Sequence, residues 1–411
     1  MSGPIATRRS LWPVVAAAGL IMSAAMGTRQ TFGLFIAPFS LDRGIPVTVI
    51  AFAIALHNLA WGVAQPVAGA VADRIGAVPV VAFGSLCYAG GLALAALAPD
   101  PTMLVLGMGL LVGIGISCTS FGVVMTAVGR HAPPATRSMA MGLASAGGSL
   151  GQVLLVPVAQ SLTSSGGMVL SLLVLAGLIL VTAPLGLFLN RAEPVPAAVT
   201  DAIDTTGTPL RDVLVQAGSH GGYRLLTIGF FACGFQLAFI ATYLPGYLSL
   251  CHMPIGLGAV ALALIGLFNM AGCWACGWLG GRSHQAPILG WLYVVRALAI
   301  GIFVLLPKSE LSVVTFAAVM GLTWLGTVPL TSALIVRFFG LRDLGTLFGV
   351  CFLSHQLGSF LGAWLGGWVF DLTGSYTPIW LGTGATGLIA ALLHFLIKQR
   401  PGASPALSPT A

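Results

Sequence analysis

The chain has 411 residues, of which only 17 are Lys or Arg and 10 are Asp or Glu, so 7% is charged against 57% hydrophobic. A soluble domain carries about 25% charge, and a disordered chain is polar and highly charged, so both classes are excluded. A β-barrel, with alternating strands around a polar lumen, is excluded too, which leaves an all-α protein that crosses a membrane many times.

In chain order, apolar runs long enough to span lie at 12–38, 46–71, 78–98, 103–128, 138–162, 168–189, 223–249, 255–279, 287–307, 311–336, 345–370 and 376–397. The first follows Arg8 and Arg9 but is too long for the apolar stretch of a signal peptide, so it is read as a span. Residues 190–222 interrupt the pattern with Glu193, Asp201, Asp204 and Asp212 and with Pro194, Pro196 and Pro209. The expected organisation is a six-helix bundle over 1–189, a cytoplasmic linker over 190–222, a second six-helix bundle over 223–397 and a cytoplasmic tail over 398–411, whose Pro/Ser-rich stretch 401–411 is read as disordered. Thr208–Ala217 is expected to form a short amphipathic surface helix.

Placement of Lys and Arg orients the chain. With the N-terminus inside, the inner segments hold thirteen of these residues and the outer loops only Arg43 and Lys308, which puts both termini in the cytoplasm of a cell (inner) membrane. The net charge of +7 then belongs to orienting loops and calls for no nucleic acid. The 7 Cys show no disulfide pattern, and Cys273-x-x-Cys276 lies mid-span without a second pair, so it is read as packing. No metal and no cofactor are implied; Gly107-x-Gly109 and Gly113-x-Gly115 follow no strand and precede no Walker lysine, which argues against ATP drive.

The two halves repeat. Gly27, Phe32, Pro38, Arg130 and Gly142 match Gly234, Phe239, Pro245, Arg337 and Gly349 at an offset of 207, and Gly69 and Arg74 match Gly277 and Arg282 at 208. Two parallel halves related by an axis along the membrane normal follow, with a binding site expected between them near the midplane.

Gly69-Ala-Val-Ala-Asp73-Arg74-Ile-Gly76, between the second and third spans, resembles the G-x-x-x-D-R-x-G loop motif of the major facilitator superfamily. The second copy has Gly281 where an aspartate would stand, and Ala77-Val78-Pro79 replace the basic residues that usually follow the first. The resemblance implies a transporter that rocks two bundles, with Gly69, Asp73, Arg74, Gly76, Arg130 and Arg137 as a conformational latch. Arg29 through Phe35, Arg137 through Gly151 and Ser354 through Gly358 further resemble the monocarboxylate and oxalate/formate branch and its bacterial relatives. That branch commonly binds a carboxylate with a buried cation on the eighth span, where this chain has only Asn269.

Charge inside the spans is confined to Arg29 and Arg296. A buried ion is costly unless compensated, and no carboxylate shares their depth, so the expected counter-ion for Arg29 is an anionic substrate held by its planar guanidinium. The alternative is that Arg29 snorkels or bonds to carbonyls. Arg296, on a ninth span that the resemblance makes peripheral, is read as bonded to a neighbouring helix. The candidate substrate-binding residues are Arg29, Gln30, His57, Asn58, Gln236, Tyr243, Asn269, His355 and Gln356. At the repeat offset Gln236 would face Arg29 across the cavity. His57 and His355 are read either as proton carriers or as neutral helix-to-helix hydrogen bonders. Trp61, Tyr243, Tyr247 and Trp324 are candidate apolar walls.

The expected function is secondary active transport of a small organic anion, a monocarboxylate, driven by a proton or by exchange for a counter-anion, by a monomer in the lipid bilayer. Export of hydrophobic or cationic compounds is the alternative. It fits less well, because the fifth span lacks the G-P-x-x-G-G element usual in such exporters and no buried carboxylate is present. No nucleophile and base can be assembled, so an enzyme is not expected.

Overall fold

A 46-residue helix, α8 (Arg137–Thr182), reverses direction at Gly167, whose φ of 82° favours glycine. Past the turn, Ser171 Oγ donates to Ala159 O at 3.1 Å, so the two arms run antiparallel. This is a computed structural model; it describes residues 11–98, 100–132, 137–189, 210–280, 282–339 and 344–398, and among these every regular element is helical.

The first pass is α1 (Trp12–Gln30), a 3-10 turn at Phe32–Phe35 and α2 (Ile36–Arg43). Then come α3 (Val47–Ile75) and α4 (Ala77–Leu97). The fourth pass joins α5 (Pro101–Leu104), a π-helical stretch Val105–Leu111, α6 (Val112–Thr119) and α7 (Phe121–His131). After the α8 hairpin and α9 (Gly186–Leu189), α10 (Leu210–Ser219) leads into α11 (Gly221–Leu250), α12 (Leu257–Gly280) and α13 (Gln285–Leu305). The tenth pass is α14 (Glu310–Thr323) plus α15 (Thr327–Phe339), and α16 (Leu344–Thr373) and α17 (Thr377–Phe395) complete the fold. Among the described residues, ten stretches are long and apolar enough to cross a membrane. One of these stretches, Ala140–Leu189, contains the α8 hairpin, and α1–α2 lies outside the ten. Of the 190–222 segment, residues 190–209 lie outside the described ones, as does the tail beyond Lys398. The short surface helix begins at Leu210, and buries Val213 and Ala217 while exposing Val215.

Two spans read as continuous are broken. The tenth unwinds at Trp324–Gly326, four residues ahead of the missing Pro329 N–H that would have bonded Leu325 O. The fourth is interrupted at Ser120, whose backbone is extended (φ −121°, ψ −158°). Just before that break, Ser117 and Thr119 bond back to the carbonyls of Ile114 and Gly115, which competes with the helical ladder.

Small residues set the packing, and it obeys the repeat. A Cβ on Gly27 would collide with the backbone of Gly151, and one on its repeat mate Gly234 with the carbonyl of His355. Helix α1 thus lies on α8 as α11 lies on α16, with backbones touching. The two cations assigned to outer loops are used as helix C-caps. Arg43 donates to Ala95 O, Ala96 O and Ala98 O at the end of α4, and Lys308 to Val304 O and Leu306 O at the end of α13.

The bundles meet along a seam that runs from mid-span to the face opposite the basic loops. There Phe52 meets Phe360 with ring centroids 6.2 Å apart, Gly367 lies against Ala51, and Gly33 lies against the carbonyls of Ala241 and Thr242. At mid-span Gly62 packs on the Gln356 side chain and Gln152 Nε2 donates to Leu262 O at 2.9 Å.

Candidate functional site

The last turn of α1 places Arg29 beside α3. Its Nη1 donates to Gln30 Oε1 at 3.0 Å and its Nη2 to Asn58 Oδ1 at 2.8 Å. The guanidinium carbon stands 5.4 Å from the Trp61 ring, and the buried Nε has no partner. Both bonded partners are neutral amides, so the cation keeps its full charge.

Helix α3 turns Ile54, His57, Asn58 and Trp61 onto one face, at the spacing of neighbours on a helix. Asn58 is held by Nδ2 donating to Ile54 O at 2.9 Å. Trp61 Nε1 donates to Gln65 Oε1 at 2.7 Å and Ser120 Oγ at 3.1 Å, so the break in the fourth pass fixes the indole. His57 Nδ1 lies 2.6 Å from Ile54 O. A carbonyl only accepts, so Nδ1 carries the hydrogen and Nε2 keeps a lone pair. That Nε2 is buried without a partner, and the Phe32 ring stands edge-on to the imidazole with centroids 5.3 Å apart.

Arg29, His57 and Asn58 share a small cavity with Ala238, Ala241 and Thr242 of α11. Its volume of about 10 Å³ fits about one water. An organic anion therefore needs the bundles to shift before it fits there. Arg29 itself is only half-buried.

Five sequence candidates sit elsewhere. Gln236 is fully buried within the second bundle, where Nε2 donates to Thr383 O at 3.1 Å and Oε1 accepts from Arg296. It does not face Arg29. Tyr243 donates its hydroxyl to Ala363 O and packs on Phe239 and Tyr376, again inside that bundle. Asn269 bridges instead: Nδ2 donates to Ser149 Oγ in the first bundle at 3.0 Å, while Oδ1 accepts from the Leu325 backbone at 3.0 Å. His355 pairs with Gln356 through Nδ1 and Oε1 at 3.1 Å and stacks on Phe352. Gln356 lies at the crossing of α3 and α16 beside Gly62, with its Nε2 buried and unpaired. Of the proposed walls only Trp61 borders Arg29.

Sequence reading missed Ala238, Ala241 and Thr242. They share one face of α11, whereas Gln236, Phe239, Tyr243 and Tyr247 form the stripe that meets α13, α16 and α17. The helical period separates these two faces, and small residues on the seam side were the available signal.

A model described as the Major Facilitator Superfamily matches residues 17–326, from the first pass to the break in the tenth. The chain belongs to the major facilitator superfamily. It is 26% identical over 389 residues to the uncharacterized MFS-type transporter YcxA of Bacillus subtilis, covering 90% of this chain and 92% of that one. It is 26% identical over 408 residues to Monocarboxylate transporter 13 of Bos taurus, covering 96% and 92%. With Monocarboxylate transporter 11 of Homo sapiens the identity is 28% over 430 residues, covering 96% and 84%. This superfamily member is a multi-pass membrane transporter and not an enzyme.

The superfamily's loop motif is present where α3 ends. Gly76 closes it with φ 90°, so a side chain there would be strained, and Gly69 faces open space. Arg130 is exposed in the last turn of α7. The side chains of Asp73, Arg74 and Arg137 lie outside the described ones.

Arg296 is satisfied by protein. It donates through Nε and Nη2 to Thr323 O, through Nη2 to Trp324 O, and through Nη1 to Gln236 Oε1 and Cys233 Sγ. These carbonyls were freed by the break between α14 and α15, and they carry the negative end of the α14 dipole. The second buried cation is therefore structural.

Proposed function

We propose that the protein is a secondary active transporter of a small organic anion, a monocarboxylate, working by alternating access with a proton or a counter-anion as the drive. The observation that carries this reading is Arg29, whose guanidinium lies inside the membrane-spanning bundle with only neutral amide partners. An uncompensated charge at that depth is costly, and a carboxylate offers two oxygens to a planar fork that still has free donors. A cationic cargo would be repelled by the same group. Two of the relatives described above are named as monocarboxylate transporters, which supports the same cargo.

On this reading the bundles 1–189 and 223–397 rock about Arg29, joined by the linker 190–222. The thirteen basic residues face the cytoplasm together with both termini, the membrane is the cell (inner) membrane, and a monomer suffices. The sealed seam then closes the outer side.

Arg29→Gln tests the reading. In proteoliposomes this variant, folded to the wild-type level, should lose carboxylate uptake. Transport at the wild-type rate would make Arg29 a packing residue. A thermal-shift screen of the purified protein against carboxylates and cationic drugs decides the charge class of the cargo, because ligands stabilise by mass action.

A further inference from the structure

We propose that His57 is the proton-carrying residue of the transport cycle, and that its proton binds after the anion, in the same pocket. The proposal rests on Arg29 being the anion's ligand and adds what that reading leaves open: the coupling ion and where it sits.

Three observations converge on His57. Its imidazole is 1% exposed, yet it borders the cavity that Arg29 and Asn58 share with α11. Its Nδ1–H is committed to Ile54 O at 2.6 Å, which fixes the tautomer and the ring. Its Nε2 is a buried lone pair with no partner. A buried acceptor left unpaired costs stability, so in the resting shape the site holds a cation without an anion beside an acceptor without a donor. One anion and one proton together satisfy both.

The order follows from charge. Around His57, α1 contributes Arg29, with Tyr88 of α4 behind it, whose hydroxyl donates to Ala25 O at 2.9 Å. The remaining neighbours, Phe32, Gly113 of α6, and Ala238 and Thr242 of α11, are uncharged. Burial opposes a positive charge on His57, and the Arg29 charge, while alone in the pocket, repels it further. A carboxylate on Arg29 cancels that repulsion and offers the imidazolium a counter-charge, which offsets the burial and admits the proton. The proton comes from water on the side to which the site is open and adds to the Nε2 lone pair. No other bond changes, and release reverses the step. The loaded pocket is then neutral apart from the one positive charge it began with.

The other buried histidines lack this setting. His355 is paired with Gln356 and stacked on Phe352, and His394 bonds Ala390 O inside the second bundle against Tyr293.

The test uses the full-length protein in nanodiscs, with sodium acetate and sodium lactate as probes and a pH dye in weak buffer near neutral pH. The wild type should take up about one proton per anion bound, and its affinity should rise about tenfold per unit fall in pH, because linkage is reciprocal. His57→Gln, brought to the same occupancy, should take up none and show a flat pH dependence. Binding by the wild type without proton uptake overturns the proposal and leaves the Arg29 reading intact. The same holds if His57→Gln takes up protons like the wild type. If that variant does not fold, His57→Asn replaces it, and the wild-type proton count decides alone. No thermal stabilisation of the wild type by either probe or by the other carboxylates of the screen removes the Arg29 reading and this proposal with it.

Discussion

Asp371 at the end of α16 caps the start of α3 through Thr48, accepting from its backbone N–H at 2.9 Å and from its hydroxyl. The N-cap position of α3 is Pro46, which offers no side-chain acceptor of its own. A carboxylate at a helix N-terminus is favourable because it meets unsatisfied N–H groups and the positive end of the dipole. Here the capping group comes from the opposite bundle, so the bond exists only while that side is closed.

Asp371→Ala should therefore weaken the closed seam without unfolding either bundle. A cap is worth about 1 kcal/mol, which corresponds to a roughly fivefold shift in the ratio of the two shapes. Spin-label distances between the adjoining ends of α3 and α16 would report it. An unchanged distance distribution would mean that Asp371 is only a surface contact.

Gly33→Ala acts on the same seam by volume. A Cβ there would meet the carbonyl oxygens of Ala241 and Thr242, which are backbone and cannot swing aside. The variant should prop the seam open and raise cysteine labelling at that end. Gly44→Ala, in a turn at φ 64° with open space, strains only its own backbone and should leave labelling unchanged.

Asn58→Asp should silence the site. Asn58 Oδ1 already lies 2.8 Å from Arg29, so a carboxylate there becomes a permanent counter-ion. Uptake of a carboxylate should fall at least about tenfold, the equivalent of 1.4 kcal/mol, while thermal stability holds or rises. Asn58→Ala, which leaves the cation more exposed to cargo, should retain more uptake than Asn58→Asp. The reverse order would argue against competition for Arg29.

Arg296→Met should lower the unfolding temperature, since the carbonyls of Thr323 and Trp324 lose their donor. Leaving a buried acceptor without its donor typically costs about 1–3 kcal/mol. Arg296→Lys should not restore it, because a single ammonium cannot span two carbonyls and Gln236. The KM of the folded fraction should stay as in the wild type.

Apolar length and the repeat made the passes legible, since both are properties of sequence alone. The depth of Arg29 and Arg296 was legible for the same reason. Their partners were not. Gln236 stands at the repeat position of Arg29, but the equivalent passes differ: α1 gives way to a 3-10 turn just past Arg29, while α11 is a continuous helix that points Gln236 toward α13 and α17. Symmetry of ancestry did not carry symmetry of facing. Asn269 was read as a cargo ligand because the branch this chain resembles often places its binding cation on the eighth span. Only the unwound backbone at Leu325, which Pro329 signalled but the reading of a continuous span passed over, shows why an amide is placed there.

The breaks at Ser120 and at Trp324–Gly326 fall in matching passes, and each is spanned by an amide side chain from a neighbouring helix, Gln65 in one bundle and Asn269 in the other. Each bundle thus contains a pinned joint within the membrane. The segments on either side of it can tilt separately once the amide lets go, and Asn269 also grips Ser149 across the seam. In the second bundle one side chain, Asn269, serves both the seam and the joint, so on the proposed rocking of the bundles a swing of the domain would also free its tenth pass to bend.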